Sequence, residues 1–188
     1  SSGVYGVHPF VLMSFTNSKR DVSTIAHELG HSMHSYYSNE AQNIIDANYT
    51  IMVAEVASTV NEILLSEYQM AKEENPKKKA EIIYELLEMI RATFYRQSMF
   101  AEFEKIVHEK IENSEILASE DLNNIYYSLN EKYFGDKIII DKEIQYEWAR
   151  IPHFYTDFYV YKYATGISAA ICIASKIIKK EEGFVDKY

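Results

Sequence analysis

Cysteine is nearly absent. Cys172 stands alone among 188 residues, so no internal disulfide staples the chain, as expected for a reducing compartment. Proline and glycine are scarce too, at three and six residues. So few chain breakers leave room for long helices and little room for a turn-rich sheet. Long hydrophobic runs are missing. The longest uncharged apolar stretch near the C-terminus lies between Lys162 and Lys176, thirteen residues against the roughly 20 that a membrane-spanning helix needs. Positive charge is short as well: 19 Lys and Arg against 28 Asp and Glu leave a net charge of −9, which repels polyphosphate and argues against a nucleic-acid partner. No basic-then-apolar leader, internal repeat or low-complexity tract is found. The expectation from these absences is a cytoplasmic chain with no membrane partner.

What is present points to a folded domain. Apolar residues make up 47% and charged ones 25% of the chain, enough for a real core. Sixteen tyrosines suit either core packing or a wet groove that needs hydroxyls beside apolar area. Residues 4–15, rich in β-branched and aromatic types ahead of the polar turn Thr16–Arg20, are the best strand candidate. A helix is expected from Asp21 or Ser23 to about Tyr37, and a second from near Thr50 towards Lys72. Asn75-Pro76 reads as a cap with proline at the first helical position, opening a long helix to roughly Asn113. Ser119 can cap another that stops at Gly135. Lys137–Glu143 fits a short strand or a buried connection. After Pro152 a helix from about Tyr155 to Lys180 would put Tyr155, Tyr159 and Tyr163 on one face.

The chemistry is concentrated in His27-Glu28-Leu29-Gly30-His31. On a helix, positions i and i+4 share a face, so both imidazoles can converge on one Zn²⁺ at about 2.0–2.1 Å. Glu28 then lies near the metal without binding it, placed to take a proton from the water that attacks the substrate and to hand it to the leaving amine. From this chain's own His and Glu frequencies, a chance match to this signature has a probability of roughly 2 in 100. A pair of solvated histidines on a charged helix face is the bland alternative.

A catalytic zinc needs a third protein ligand and an open position. Glu55 is the strongest candidate, because it interrupts the apolar run Val53-Ala54-Glu55-Val56-Ala57-Ser58 and a buried carboxylate needs a partner. A surface position on an amphipathic helix would also explain it. His34 competes, but three histidines on one helix are hard to arrange tetrahedrally. Ser58, Thr59 and Glu62 could orient the imidazoles from behind, and for Glu62 a solvated position is an equal alternative. His108, in the long helix, lacks metal-ligand spacing.

Over residues 27–37, again at Glu55, and at Ile151-Pro152-His153-Phe154-Tyr155 and Phe158–Gly166, the sequence resembles the oligoendopeptidase F family of thimet-oligopeptidase-like zinc peptidases. The resemblance covers nearly the whole chain. It implies a mainly α, zincin-type helical catalytic subdomain with one short N-terminal β-strand region. Residues 1–188 would form a single, partial catalytic domain, without the family's N-terminal helical portion and extreme C-terminus. By the same resemblance His27, His31 and Glu55 bind one zinc per chain and Glu28 is the general base. His153 and one or more of Tyr155, Tyr159 and Tyr161 would donate hydrogen bonds to the oxyanion, with Tyr155 and Tyr161 the leading pair. Such donors are typically worth about 2.7–4 kcal/mol each. The N-terminal strand, which carries His8, would pair with an extended substrate backbone.

The expected function is a zinc-dependent endopeptidase acting on short peptides, with the isolated 188 residues binding zinc but cleaving poorly because the roof of the cleft is missing. One alternative is a metallocarboxypeptidase, for which Arg150 or Lys162 would have to hold the terminal carboxylate. Another is a non-catalytic helical module with a structural metal, closed by Cys172 or His34.

Overall fold

The computed structural model describes residues 3–188. These form seven α-helices: α1 (Lys19–Ala41), α2 (Ile51–Lys72), α3 (Pro76–Ile90), α4 (Arg96–Glu112), α5 (Ser119–Phe134), α6 (Tyr161–Ile178) and α7 (Phe184–Lys187). The architecture is mainly α. Among the described residues no helix is long and apolar enough to cross a membrane.

The strand expected over residues 4–15 is not formed. That segment is turn and irregular chain with one bridge residue, Phe10, and Val4, Val7, Phe10, Val11 and Leu12 are exposed. A strand exists only where a second strand satisfies its N–H and C=O groups, and the described residues supply none. Lys137–Glu143 is likewise neither strand nor buried. Ile139 is 94% exposed, and the chain there turns into a 3₁₀ helix over Lys142–Arg150.

The helix ends follow local chemistry. Ser18, not Asp21, caps α1: its side chain accepts from the Asp21 N–H, while the Asp21 carboxylate accepts from the Ser18 N–H at 2.8 Å and the Thr16 N–H at 2.9 Å. Asn75 Oδ1 accepts from the Lys77 N–H, with Pro76 opening α3. The path from Pro76 to the Asn113 cap is not one α-helix, because a π-turn over Arg91–Tyr95 separates α3 from α4. Ser119 is the first residue of α5, behind Ala118 at the cap, and Gly135 ends that helix at φ 73°. The helix expected from Tyr155 begins only at Tyr161, after a 3₁₀ turn over Pro152–Tyr155 and an irregular stretch. Tyr155, Tyr159 and Tyr163 therefore do not share a helix face.

The chain divides into two compact units, one of residues up to Ile90 with Thr165–Tyr188 and the other of Arg91–Ala164. The first is packed around Val60 and Ile63 of α2, Ala170 and Ala174 of α6, and Leu86 and Met89 of α3. The second is aromatic: Met99, Phe100 and Phe103 of α4 meet Tyr126 and Leu129 of α5, with Ile151 and Val160. Phe103 and Tyr126 pack edge to face at 5.3 Å. The Tyr126 hydroxyl donates to Glu147 Oε2 at 2.7 Å, and Arg96 donates to Glu147 Oε1 at 2.6 Å, so this buried carboxylate is paired. Burial and then Glu147 itself push the Tyr126 phenol up, which keeps it protonated.

Candidate active site

The site in the first unit starts from a glycine. A side chain at Gly30 would place its Cβ 2.7 Å from Ala57 O and from Ser58 Cα, so α1 and α2 touch backbone to backbone where any other residue would hold them apart. Beside this contact, Asn61 of α2 donates to Ala26 O of α1 at 3.1 Å. Close approach brings Glu55, less than a turn before Ala57, up to the histidine pair. His27 Nε2 lies 3.1 Å from His31 Nε2 and 3.7 Å from Glu55 Oε2. One donor atom from each of the three residues falls within 4.8 Å of the other two.

These distances fit a zinc ion. Two donors at 2.0–2.1 Å on tetrahedral corners stand about 3.4 Å apart, and the two observed separations bracket that value. One carboxylate and two imidazoles are also the donor set of a hydrolytic zinc with an open position. His27, His31 and Glu55, which the sequence suggested, are thus brought together. Glu28 is half-buried beside them on α1 and is not one of the three converging residues.

The surroundings orient these donors. His27 Nδ1 lies 3.5 Å from Glu62 Oε1, two turns beyond Glu55 on α2. A carboxylate on Nδ1 keeps the proton there and leaves Nε2 to face the site. Ser58 Oγ donates to Glu55 Oε2 at 3.3 Å and to Glu55 O at 3.1 Å, restraining the carboxylate. Their surroundings drive the two imidazoles apart in basicity. The hydrogen bond to Glu62 raises the pKa of His27 against the opposing effect of burial, whereas burial and then the charge of His27 lower that of His31. Thr59 is buried in α2, and Glu62 is the one of the three suggested supports that reaches an imidazole.

His34 does not join the cluster. Its ring stacks on Tyr49 at 3.7 Å, and its Nδ1 is buried without a hydrogen-bond partner among the described residues. Cys172 is exposed and lies outside the cluster.

In the second unit, His153 follows the buried Ile151, and Phe154 packs between Phe100 and Phe103. The His153 ring stacks on Tyr159 at 5.5 Å and 19°, and Tyr163 Oη lies 3.5 Å from His153 Nε2 and 3.3 Å from Tyr159 Oη. This trio includes neither Tyr155, which is 82% exposed, nor Tyr161, which opens α6. Tyr163 was legible only as part of a presumed helix face.

The chain is similar to known proteins over its whole length. The model of peptidase family M3 matches residues 2–187. Oligopeptidase PepF of Bacillus subtilis is 51% identical over 188 residues, all of this chain and 28% of that protein. A solved structure from Chlamydophila abortus superposes with a TM-score of 0.91 at 44% identity, over 100% of this chain and 31% of that one. Oligoendopeptidase-F from Enterococcus faecium does so with a TM-score of 0.79 at 41% identity, over 90% of this chain and 30% of that one. The chain thus spans less than a third of the length of these relatives. It belongs to peptidase family M3 and is similar to the oligoendopeptidase F members of that family.

Proposed function

We propose that this chain is the metal-bearing part of a zinc-dependent endopeptidase that hydrolyses short oligopeptides. The observation that carries this reading is the convergence of His27, His31 and Glu55 with Glu28 next in sequence to the first ligand. Zinc, when bound, supplies Lewis-acid polarisation of water and of the scissile carbonyl. Glu28 accepts the proton of the attacking water and delivers it to the leaving amine. Glu62 holds His27 in one tautomer, and Ser58 keeps the Glu55 carboxylate turned towards the imidazoles. On their donor chemistry, His153 with one or more of Tyr155, Tyr159 and Tyr161 is proposed to stabilise the oxyanion, and Tyr163, whose hydroxyl approaches both His153 and Tyr159, is added to that set.

The carboxypeptidase reading is less well supported, since the Arg150 guanidinium is paired with Glu147 and the Lys162 ammonium lies over the Tyr159 ring. A structural metal would need a fourth protein ligand, and neither His34 nor Cys172 belongs to the group. The test is Glu28→Gln in the complete protein that carries this chain. Zinc should be retained at one per chain while hydrolysis of an internally quenched, C-terminally amidated peptide falls by about 10²–10⁴-fold. Unchanged hydrolysis, or cleavage only of peptides with a free C-terminus, would refute the proposal.

A further inference from the structure

Four described residues other than glycine have positive φ, and three belong to helix ends. Asn17 precedes the Ser18 cap. Ser114 and Lys180 follow α4 and α6, where the Glu115 N–H reaches Lys110 O and the Glu181 N–H reaches Lys176 O, the six-to-one bond of a terminating left-handed turn. Phe158, at 52°, occupies no such cap. It lies in a turn over residues 157–158, and a bulky aromatic residue adopts the left-handed conformation there only against its own steric preference.

What holds it there is α4. Glu104 is 6% exposed, and its Oε1 accepts from the Phe158 N–H at 2.7 Å. One turn on, the His108 ring lies 4.7 Å from the Phe158 ring. Beside Phe100 and Phe103 an apolar residue would pack with no desolvation penalty, so the use of the carboxylate is the backbone N–H that it captures. On either side of Phe158 the chain is anchored in one core, by Ile151 and Phe154 upstream and Val160 downstream. The left-handed residue therefore governs how Tyr159 meets the His153 ring.

We infer that Glu104 is a positioning residue: by holding Phe158 in its left-handed conformation it sets Tyr159 against His153 and so orders the donor cluster that these two form with Tyr163. The kinetic consequence rests on the peptidase reading above; the geometric consequence does not.

The experiment uses the complete protein with E104A, E104Q, F158V and F158N. The first readout is the His153 imidazole resonances under histidine-selective labelling, assigned by their loss in H153A, since a stacked phenol shifts them by its ring current. E104A and F158V should move these signals, the latter because a β-branched residue resists positive φ. E104Q keeps an acceptor oxygen and F158N tolerates the left-handed region, so both should leave the signals in place. The second readout is peptide hydrolysis. E104A and F158V should lower kcat about 10- to 100-fold with KM and zinc content near wild type, and E104Q and F158N should stay within about threefold of it.

His153 resonances that respond alike to alanine and glutamine at 104, or alike to valine and asparagine at 158, overturn the inference. Should E104A fail to fold, the contrast at 158 decides alone, because Glu104 is intact in both variants. If the resonances respond as expected while kcat stays at wild type throughout, Glu104 does position the cluster, and the oxyanion role given to that cluster is what falls.

Discussion

Gly30→Ala offers the sharpest test of how the proposed metal site is built. The added Cβ would sit 2.7 Å from Ala57 O and Ser58 Cα and 3.0 Å from the Ala57 carbonyl carbon. Unbonded carbon atoms settle at about 3.5–4.0 Å, so α2 must retreat from α1 by roughly 0.8 Å. Neither atom group in the way is the end of a flexible side chain. Glu55 travels with α2, and its present 3.7 Å to His27 Nε2 would open well beyond the roughly 0.2 Å latitude of a metal-ligand distance. Helix propensity works the other way, because alanine is preferred over glycine by about 1 kcal/mol inside a helix, against about 1–3 kcal/mol for overpacking. The variant should therefore stay folded, no more than about 2 kcal/mol less stable, while its zinc affinity drops about 10- to 100-fold.

Competition with a chromophoric chelator measures that affinity, and far-UV circular dichroism reports the helices. Adding Ala57→Gly should not restore binding, since the obstacle is the Ala57 carbonyl and not its methyl group. Wild-type zinc affinity in Gly30→Ala, or rescue by Ala57→Gly, would refute the argument that backbone contact sets the reach of Glu55.

Two further outcomes follow from individual contacts. Glu62→Ala should weaken zinc binding about 10- to 100-fold without changing the helical signal, because His27 loses the carboxylate on Nδ1; unchanged affinity in the same chelator assay would contradict this. Asp21 has its carboxyl pKa lowered, first by the Ser18 N–H and also by the donors on Thr16. A depressed carboxylate contributes stability that is fully present above its ordinary pKa of about 3.9 and is lost as pH falls through the lower native value. The stability gap between wild type and Asp21→Asn should thus be constant above about pH 5 and shrink on acidification; a gap that does not narrow in acid denaturation curves would contradict the assignment.

Local chemistry was readable directly. Histidines four apart with a glutamate beside the first, proline after Asn75 and glycine at 135 each act within one or two turns of backbone, so their outcome hardly depends on the rest of the chain. Residues 4–15 had an equally clear composition and no such autonomy, since a strand is completed by a partner elsewhere. Tyr155 was placed on one face with Tyr159 and Tyr163 by counting in fours along a helix that in fact begins six residues later. The mid-helix Gly30, between the two histidines, and the lone buried acid Glu104 in the aromatic stretch of α4 were signals that residue patterns alone left without a meaning.

Residue spacing was thus enough to read the helical character of the chain and the pairing of two imidazoles on one face, because 3.6 residues per turn is a property of the backbone. Tertiary structure decided which carboxylate joins them, which one steadies His27, and which tyrosines meet His153. Those choices depend on how closely two backbones approach at Gly30 and on how Glu104 turns the chain at Phe158, distances between residues far apart in sequence that no local spacing encodes.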